Sequence, residues 1–146
     1  MRQAVEMAIT TQLDIVSAEK EIFSGLVEMV VASAELGEIG IIPGHAPLLT
    51  LLKPGEIRLT LPGGAKELFY VSGGMLEVQP HHVTILADAV ERADDINEAA
   101  ALAAKARAEE AIANKKSDID YSLASAELTR ALTQIRVLQK VRKNLR

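Results

Sequence analysis

Near Asp94-Asp95 the hydrophobic period changes, and that change limits what the chain can fold into. Before it, apolar residues recur at every second position. In Glu56-Ile57-Arg58-Leu59-Thr60-Leu61 one face carries Ile57, Leu59 and Leu61, the pattern of a strand with one buried side. After it, apolar and small residues recur every three or four positions, the spacing of a helix. A chain of 146 residues with one such switch reads as two successive modules rather than as alternating βαβ units. The expected fold is α+β. An antiparallel β-sandwich or flattened barrel occupies residues 1–93, with 1–7 a frayed extension, and an antiparallel αα-hairpin occupies 94–146.

Short strands are expected at Thr11–Val16 and Leu26–Val31, with Ser24-Gly25 as the turn between them. After Glu56–Leu61, Pro62-Gly63-Gly64 turns the chain into Lys66–Val71. Gly73-Gly74, Met75–Gln79, a turn at Pro80-His81-His82 and Val83–Ala87 complete the run. Asp95 and Glu98 have the spacing of a capping box for a helix over Ile96–Ala113, which Asn114-Lys115-Lys116 closes. Ser117 and Asp120 repeat that spacing for a second helix. Its seam runs Tyr121, Ala124, Leu128, Ala131, Ile135, Leu138, Leu145, interrupted only by Arg142. At 1.5 Å per residue this helix is about 40 Å long. Alanine dominates the first helix. It favours helix, but each alanine buries few methylenes at about 0.8 kcal/mol apiece. A hairpin held mainly by alanine is expected to leave its resting place at a cost of a few kcal/mol.

Composition removes several chemistries. With no cysteine, disulfides, thiolate catalysis and cysteine-ligated metals are excluded. The longest uncharged stretch, 39–52, is broken by Pro43, Gly44 and Pro47 and falls short of the roughly 20 residues a spanning helix needs. Met1–Met7 contains Glu6 and lacks an apolar run, so it does not read as a signal peptide. Charge is divided. Residues 1–94 carry 6 Lys and Arg against 13 Asp and Glu, a net of −7, whereas 95–146 carry 10 against 7, a net of +3. After Glu127 there are basic residues and no acid, an end that suits an acidic partner. Nucleic acid is disfavoured, because no aromatic follows Tyr121 for base stacking.

The densest punctuation is Gly37-Glu38-Ile39-Gly40-Ile41-Ile42-Pro43-Gly44-His45-Ala46-Pro47-Leu48-Leu49-Thr50. It is not a dinucleotide loop: the third glycine is replaced by Pro43, which opposes the required helix start. Pro43 to Pro47 instead read as a rigid turn, with Ile39 and His45 at a loop edge. His45, His81 and His82 are the only imidazoles, too few and too badly spaced for a metal centre. Ser17 or Ser72 with His45 and Asp88 makes a triad only on paper, for no nucleophile elbow accompanies them.

The 37–50 run resembles the epsilon subunit of the F-type, proton-translocating ATP synthase. So do Tyr70-Val71-Ser72-Gly73-Gly74-Met75-Leu76-Glu77-Val78, Val83–Asp88, and Asp120-Tyr121 with Ala124-Ser125-Ala126-Glu127-Leu128. The likeness runs from about Gln12 to Leu138. It implies a non-catalytic, cofactor-free subunit of the rotating central stalk, peripheral at the cytoplasmic face of the bacterial inner membrane and not inserted into it. The implied partners are the gamma subunit, the c ring and the catalytic alpha and beta subunits. Within an interface formed by Ser17, Glu38, Ile39, His45, Ala46, Pro47 and Thr50, Glu38 and His45 match positions at the c ring, and Ser17 and Thr50 match positions near gamma. The resemblance makes the hairpin an inhibitor of ATP hydrolysis, acting through Arg130, Arg136, Lys140, Arg142 and Lys143. Some family members bind ATP on the hairpin. Here the motif's acid and arginine are Asn97 and Ala100, which leaves at most a weak nucleotide site at Glu91, Ile96, Arg107 and Arg130. Read from the residues alone, a free-standing protein-binding adaptor with a basic hairpin stays open as the alternative.

Overall fold

A computed structural model describes residues 9–114 and 117–144. The expected extension at 1–7 and the positions Lys115, Lys116, Leu145 and Arg146 lie outside these residues. The chain divides into two compact units after Arg92. The first contains β1 (Thr11–Ser17), β2 (Glu21–Val27), β3 (Met29–Ala34), β4 (Gly37–Ile41), β5 (Leu48–Thr60), β6 (Lys66–Val71), β7 (Gly74–Gln79), β8 (His82–Ala87) and β9 (Val90–Arg92).

The strand order is β2-β1-β8-β7-β5-β3-β4, with β6 pairing β5 and β9 pairing β6. β5 joins the two layers of the sandwich. Its first part, Leu48–Leu52, pairs with β7, and its second part, Gly55–Thr60, pairs with β6. β3 runs beside β5 with a bulge between Ala32 and Ala34. At that crossing a Cβ on Gly55 would stand 2.6 Å from the Ser33 side chain, so only glycine fits. Gly74 is held more tightly: its φ is +141° and an added Cβ would lie 2.1 Å from the Leu86 carbonyl oxygen. Between the layers lies one aliphatic core, including Leu13, Ile15, Val30, Ile57, Leu59, Leu76, Val83 and Ile85, with Phe69 fully buried in it. Phe23 packs edge-on to Phe69 at 6.1 Å.

Three local expectations are corrected. Ser24 and Gly25 do not form a turn; they lie inside β2, paired with Asp14 and Leu13. The chain turns at 18–20, where the Ser17 amide donates to the Lys20 carbonyl at 2.9 Å. Gly25 has ordinary extended backbone, and a Cβ there would make only normal contact with the Phe23 ring at 3.4 Å, so this glycine marks no turn. The sheet is not wholly antiparallel, since β1 runs parallel to β8. These strands are joined through the rest of the unit rather than by a hairpin, so nothing forces them to oppose. Ile39 is not at a loop edge; it sits on β4 opposite Ala32, packed against the core.

The second unit begins with a 3-10 turn, Ala93–Asp95, followed by α1 (Glu98–Ala113) and α2 (Asp118–Asn144). Asp95 therefore does not cap α1. Asn97 does, its side chain accepting from the Ala100 amide at 3.0 Å. Ile96 and Ala101, at the positions of a hydrophobic staple, are both buried. Ser117 caps α2, its hydroxyl accepting from the Asp120 amide at 3.1 Å. α1 and α2 pack on one another.

Candidate functional site

Alternation along β1, β5, β7 and β8 turns one set of side chains into the core and the other outward. On the outward side, strand register lines up Val16, Leu86, Met75 and Leu51, one residue from each of four adjacent strands. Leu51 and Leu86 are each 51% exposed, Met75 37%, and Leu49, two residues from Leu51, 62%. At about 4.8 Å between strands the row is roughly 15 Å long. A contiguous exposed apolar strip marks a candidate protein-docking face. Its one local signal in the sequence is Leu48-Leu49-Thr50-Leu51-Leu52, which places leucines on both faces of one strand.

Beside the strip, Asp14 gathers polar groups from three strands. Its Oδ1 accepts from Ser24 Oγ at 2.6 Å and from Gln12 Nε2 at 3.1 Å, and its Oδ2 lies 2.6 Å from His82 Nε2. The Ser24 hydrogen bond is the main cause holding the Asp14 carboxyl below the usual carboxylate range, with Gln12 and His82 adding to it against the effect of burial.

The seven interface residues read from the sequence do not form one patch. His45, Ala46 and Pro47 occupy the β4–β5 loop, with Ile42 58% exposed beside them. That loop rests on the β7–β8 turn through Gly44 N–H donating to the Pro80 carbonyl at 2.9 Å. His45 Nδ1 donates to the Ala46 carbonyl at 2.7 Å. Ser17 lies at the opposite end of the sheet, in register with Ala87. Thr50, in register with Leu76, faces inward and is half-buried. Glu38 projects from β4 to Arg58 at 2.9 Å, and Arg58 also holds Glu56 at 2.8 Å.

On the hairpin the five basic residues are likewise split. At about 100° per residue, Arg136, Lys140 and Lys143 cluster within about 60° of arc, while Arg130 and Arg142 point elsewhere. Arg142 continues the seam of Ala124, Leu128, Ala131, Ile135 and Leu138, of which Ala124 and Ala131 are buried. Its guanidinium bonds the Glu98 carboxylate of α1. That hydrogen bond, and then the carboxylate's charge, raise the Arg142 pKa further. The apparent interruption of the seam thus has an acid opposite it. A second cross-helix pair joins Arg107 to Glu127 at 3.6 Å. Tyr121, expected in the seam, is 43% exposed, whereas Val137, outside it, is buried.

The nucleotide candidates do not come together within either unit. Glu91 lies on β9 of the first unit, and Ile96, Arg107 and Arg130 belong to the second. Ile96 is buried, Arg107 is paired with Glu127, and the Asn97 side chain is engaged in capping. Among the described residues no three His, Asp or Glu side chains are grouped to hold a metal ion.

Residues 10–93 match the family model of the ATP synthase delta/epsilon chain beta-sandwich domain, and residues 94–139 match that of its long alpha-helix domain. The chain belongs to the ATP synthase delta/epsilon family. It is 71% identical over 140 residues to an ATP synthase epsilon chain of Legionella pneumophila, covering 96% of this chain and 100% of that one. To the ATP synthase epsilon chain of Nitrosococcus oceani it is 60% identical over 139 residues, covering 95% and 99%. Its fold is shared with a chain in the mitochondrial ATP synthase of Euglena gracilis, with a TM-score of 0.80 and 19% identity, covering 88% of this chain and 81% of that one. It is an epsilon-type ATP synthase subunit, and among its described residues no helix is long and apolar enough to cross a membrane.

Proposed function

We propose that this chain is a non-catalytic rotor subunit that couples proton flow to ATP synthesis by joining the gamma subunit to the c ring, at the cytoplasmic face of a bacterial inner membrane. Residues 1–93 serve as the docking module. The exposed strip Val16-Leu86-Met75-Leu51 carries this reading, as a face for gamma. The β4–β5 loop with His45, and Glu38 on β4, face the c ring. Residues 94–146 act as a latch: the hairpin extends, and its basic residues meet an acidic segment of the catalytic subunits to restrain ATP hydrolysis. Nucleotide does not gate this latch, because the acid and arginine of the ATP motif are replaced by Asn97 and Ala100.

The docking role is tested with synthase stripped of its own subunit. Fully covering a leucine contributes about 1.5–3 kcal/mol and these two are each about half exposed, so Leu51→Glu with Leu86→Glu should weaken retention on the complex by at least about tenfold. Both side chains point outward, so the thermal melt should hardly move. Undiminished binding of the double variant would rule out this face. Elution of the wild-type chain apart from any large assembly in native lysate would favour the adaptor instead.

A further inference from the structure

The hairpin is closed at one end by the chain itself, through the α1–α2 connection. At its other end no turn of chain joins the helices, though α2 also packs on the 3-10 turn Ala93–Asp95 that precedes α1. Glu98 is the first residue of α1 and Arg142 lies in the last turn of α2, and these two bond to each other. Each is also well placed on its own helix, an acid at a positive N-terminus and a base at a negative C-terminus. Arg142 stands on the α1-facing seam, following Ile135 and Leu138 at steps of three and four. Arg136 and Lys143 lie on a different face, and neither is bonded to an acid among the described residues.

We propose that Glu98 and Arg142 form a clasp across the open end of the hairpin, and that the clasp competes with an acidic protein surface for Arg142. While the helices lie together, the Arg142 fork is engaged by an internal carboxylate, and an external acid must displace Glu98 to take it. The face carrying Arg136 and Lys143 stays available throughout. The basic end is thereby graded: an acidic surface first meets the open face, and gains Arg142 only when the end of α2 separates from α1. The competition rests on the latch reading above; the clasp does not.

Hydrogen exchange on the free, full-length chain tests the clasp. Glu98→Gln should speed exchange of amides 138–143, at the far end of α2, by about twofold to fivefold, the range for an exposed ion pair. Arg142→Gln should do the same, and the double variant should add nothing further. Acceleration confined to the first turn of α1 would make Glu98 only a helix-end charge, and strictly additive effects would also overturn the clasp. Competition is read by titrating ATP hydrolysis by stripped synthase at low ionic strength. There Glu98→Gln should reach half-inhibition at a similarly lower subunit concentration, and an unchanged midpoint would overturn it. A wild-type chain that fails to inhibit at all would instead sink the latch reading, with hydrogen exchange still deciding the clasp.

Discussion

Asp14 shows how much of a single residue's role depends on register. Its partners Ser24 and His82 lie 10 and 68 positions away in sequence, and they reach it only because β1 is flanked by β2 on one side and β8 on the other. Nothing in the local pattern announces this; His82 reads as a turn residue until β8 is seen to begin with it. The hydrogen bonds favour the ionised carboxyl, chiefly through Ser24, so its pKa is lowered on folding. A group lowered in this way stabilises the fold at pH values above its unfolded pKa, and that contribution fades as pH falls through the lowered value. Asp14→Asn should therefore cost about 1 kcal/mol at pH 7, the figure for bonds to a charged group discounted for solvent at a site where the side chain is 23% exposed. Urea unfolding at several pH values should show the two proteins converging as pH falls below the ordinary carboxylate range. A gap of constant size across that range would mean that the charge contributes nothing.

At the scale of elements, what was legible followed from regular spacing. Strict alternation located the second half of β5 and β6, and Pro62-Gly63-Gly64 marked the turn between them, because few residues accept the φ values of +92° and +95° found at Gly63 and Gly64. What failed was punctuation whose meaning depends on a distant neighbour. Ser24-Gly25 looked like a turn but lies inside β2, and only the pairing of these residues with Asp14 and Leu13 of β1 shows it. The helices show the same division. The three- and four-residue step predicted the α2 seam, but the acid facing Arg142 lies on α1, 44 positions away. That difference changes which basic residues should bind first. Arg136→Glu with Lys143→Glu should relieve inhibition of ATP hydrolysis, and wild-type inhibition should weaken between low salt and 0.15 M, where exposed charges are screened beyond about 8 Å. Circular dichroism should report unchanged helix content. Full inhibition by the double variant at both salt concentrations would assign this face a solvation role alone.

At the scale of the whole molecule, the question is whether the two units fold independently. The first unit has a continuous aliphatic core and a closing strand of its own, and the second is a helix pair with caps at both starts. β9 is the critical border. Arg92 donates to Glu67 at 3.2 Å and to the Ile22 carbonyl at 3.0 Å, and lies over the Phe69 ring at 5.1 Å, tying the last strand to β6 and β2. A chain ending at Ala93 keeps all three contacts, whereas one ending at Val90 loses them and leaves the Ile22 carbonyl without that donor. The longer truncation should unfold cooperatively, bind stripped synthase, restore coupling and give no inhibition. The shorter should fold too, but be less stable by about 1–3 kcal/mol, the combined scale of a partly exposed charged hydrogen bond and a cation–π contact. The two truncations differ only in Glu91, Arg92 and Ala93, so their urea midpoints measure this border directly. Equal midpoints would show that β9 is not needed to close the sandwich. Loss of cooperative unfolding in the longer chain would show that the β unit requires the hairpin to fold, and would end the proposal that docking and restraint belong to separable parts.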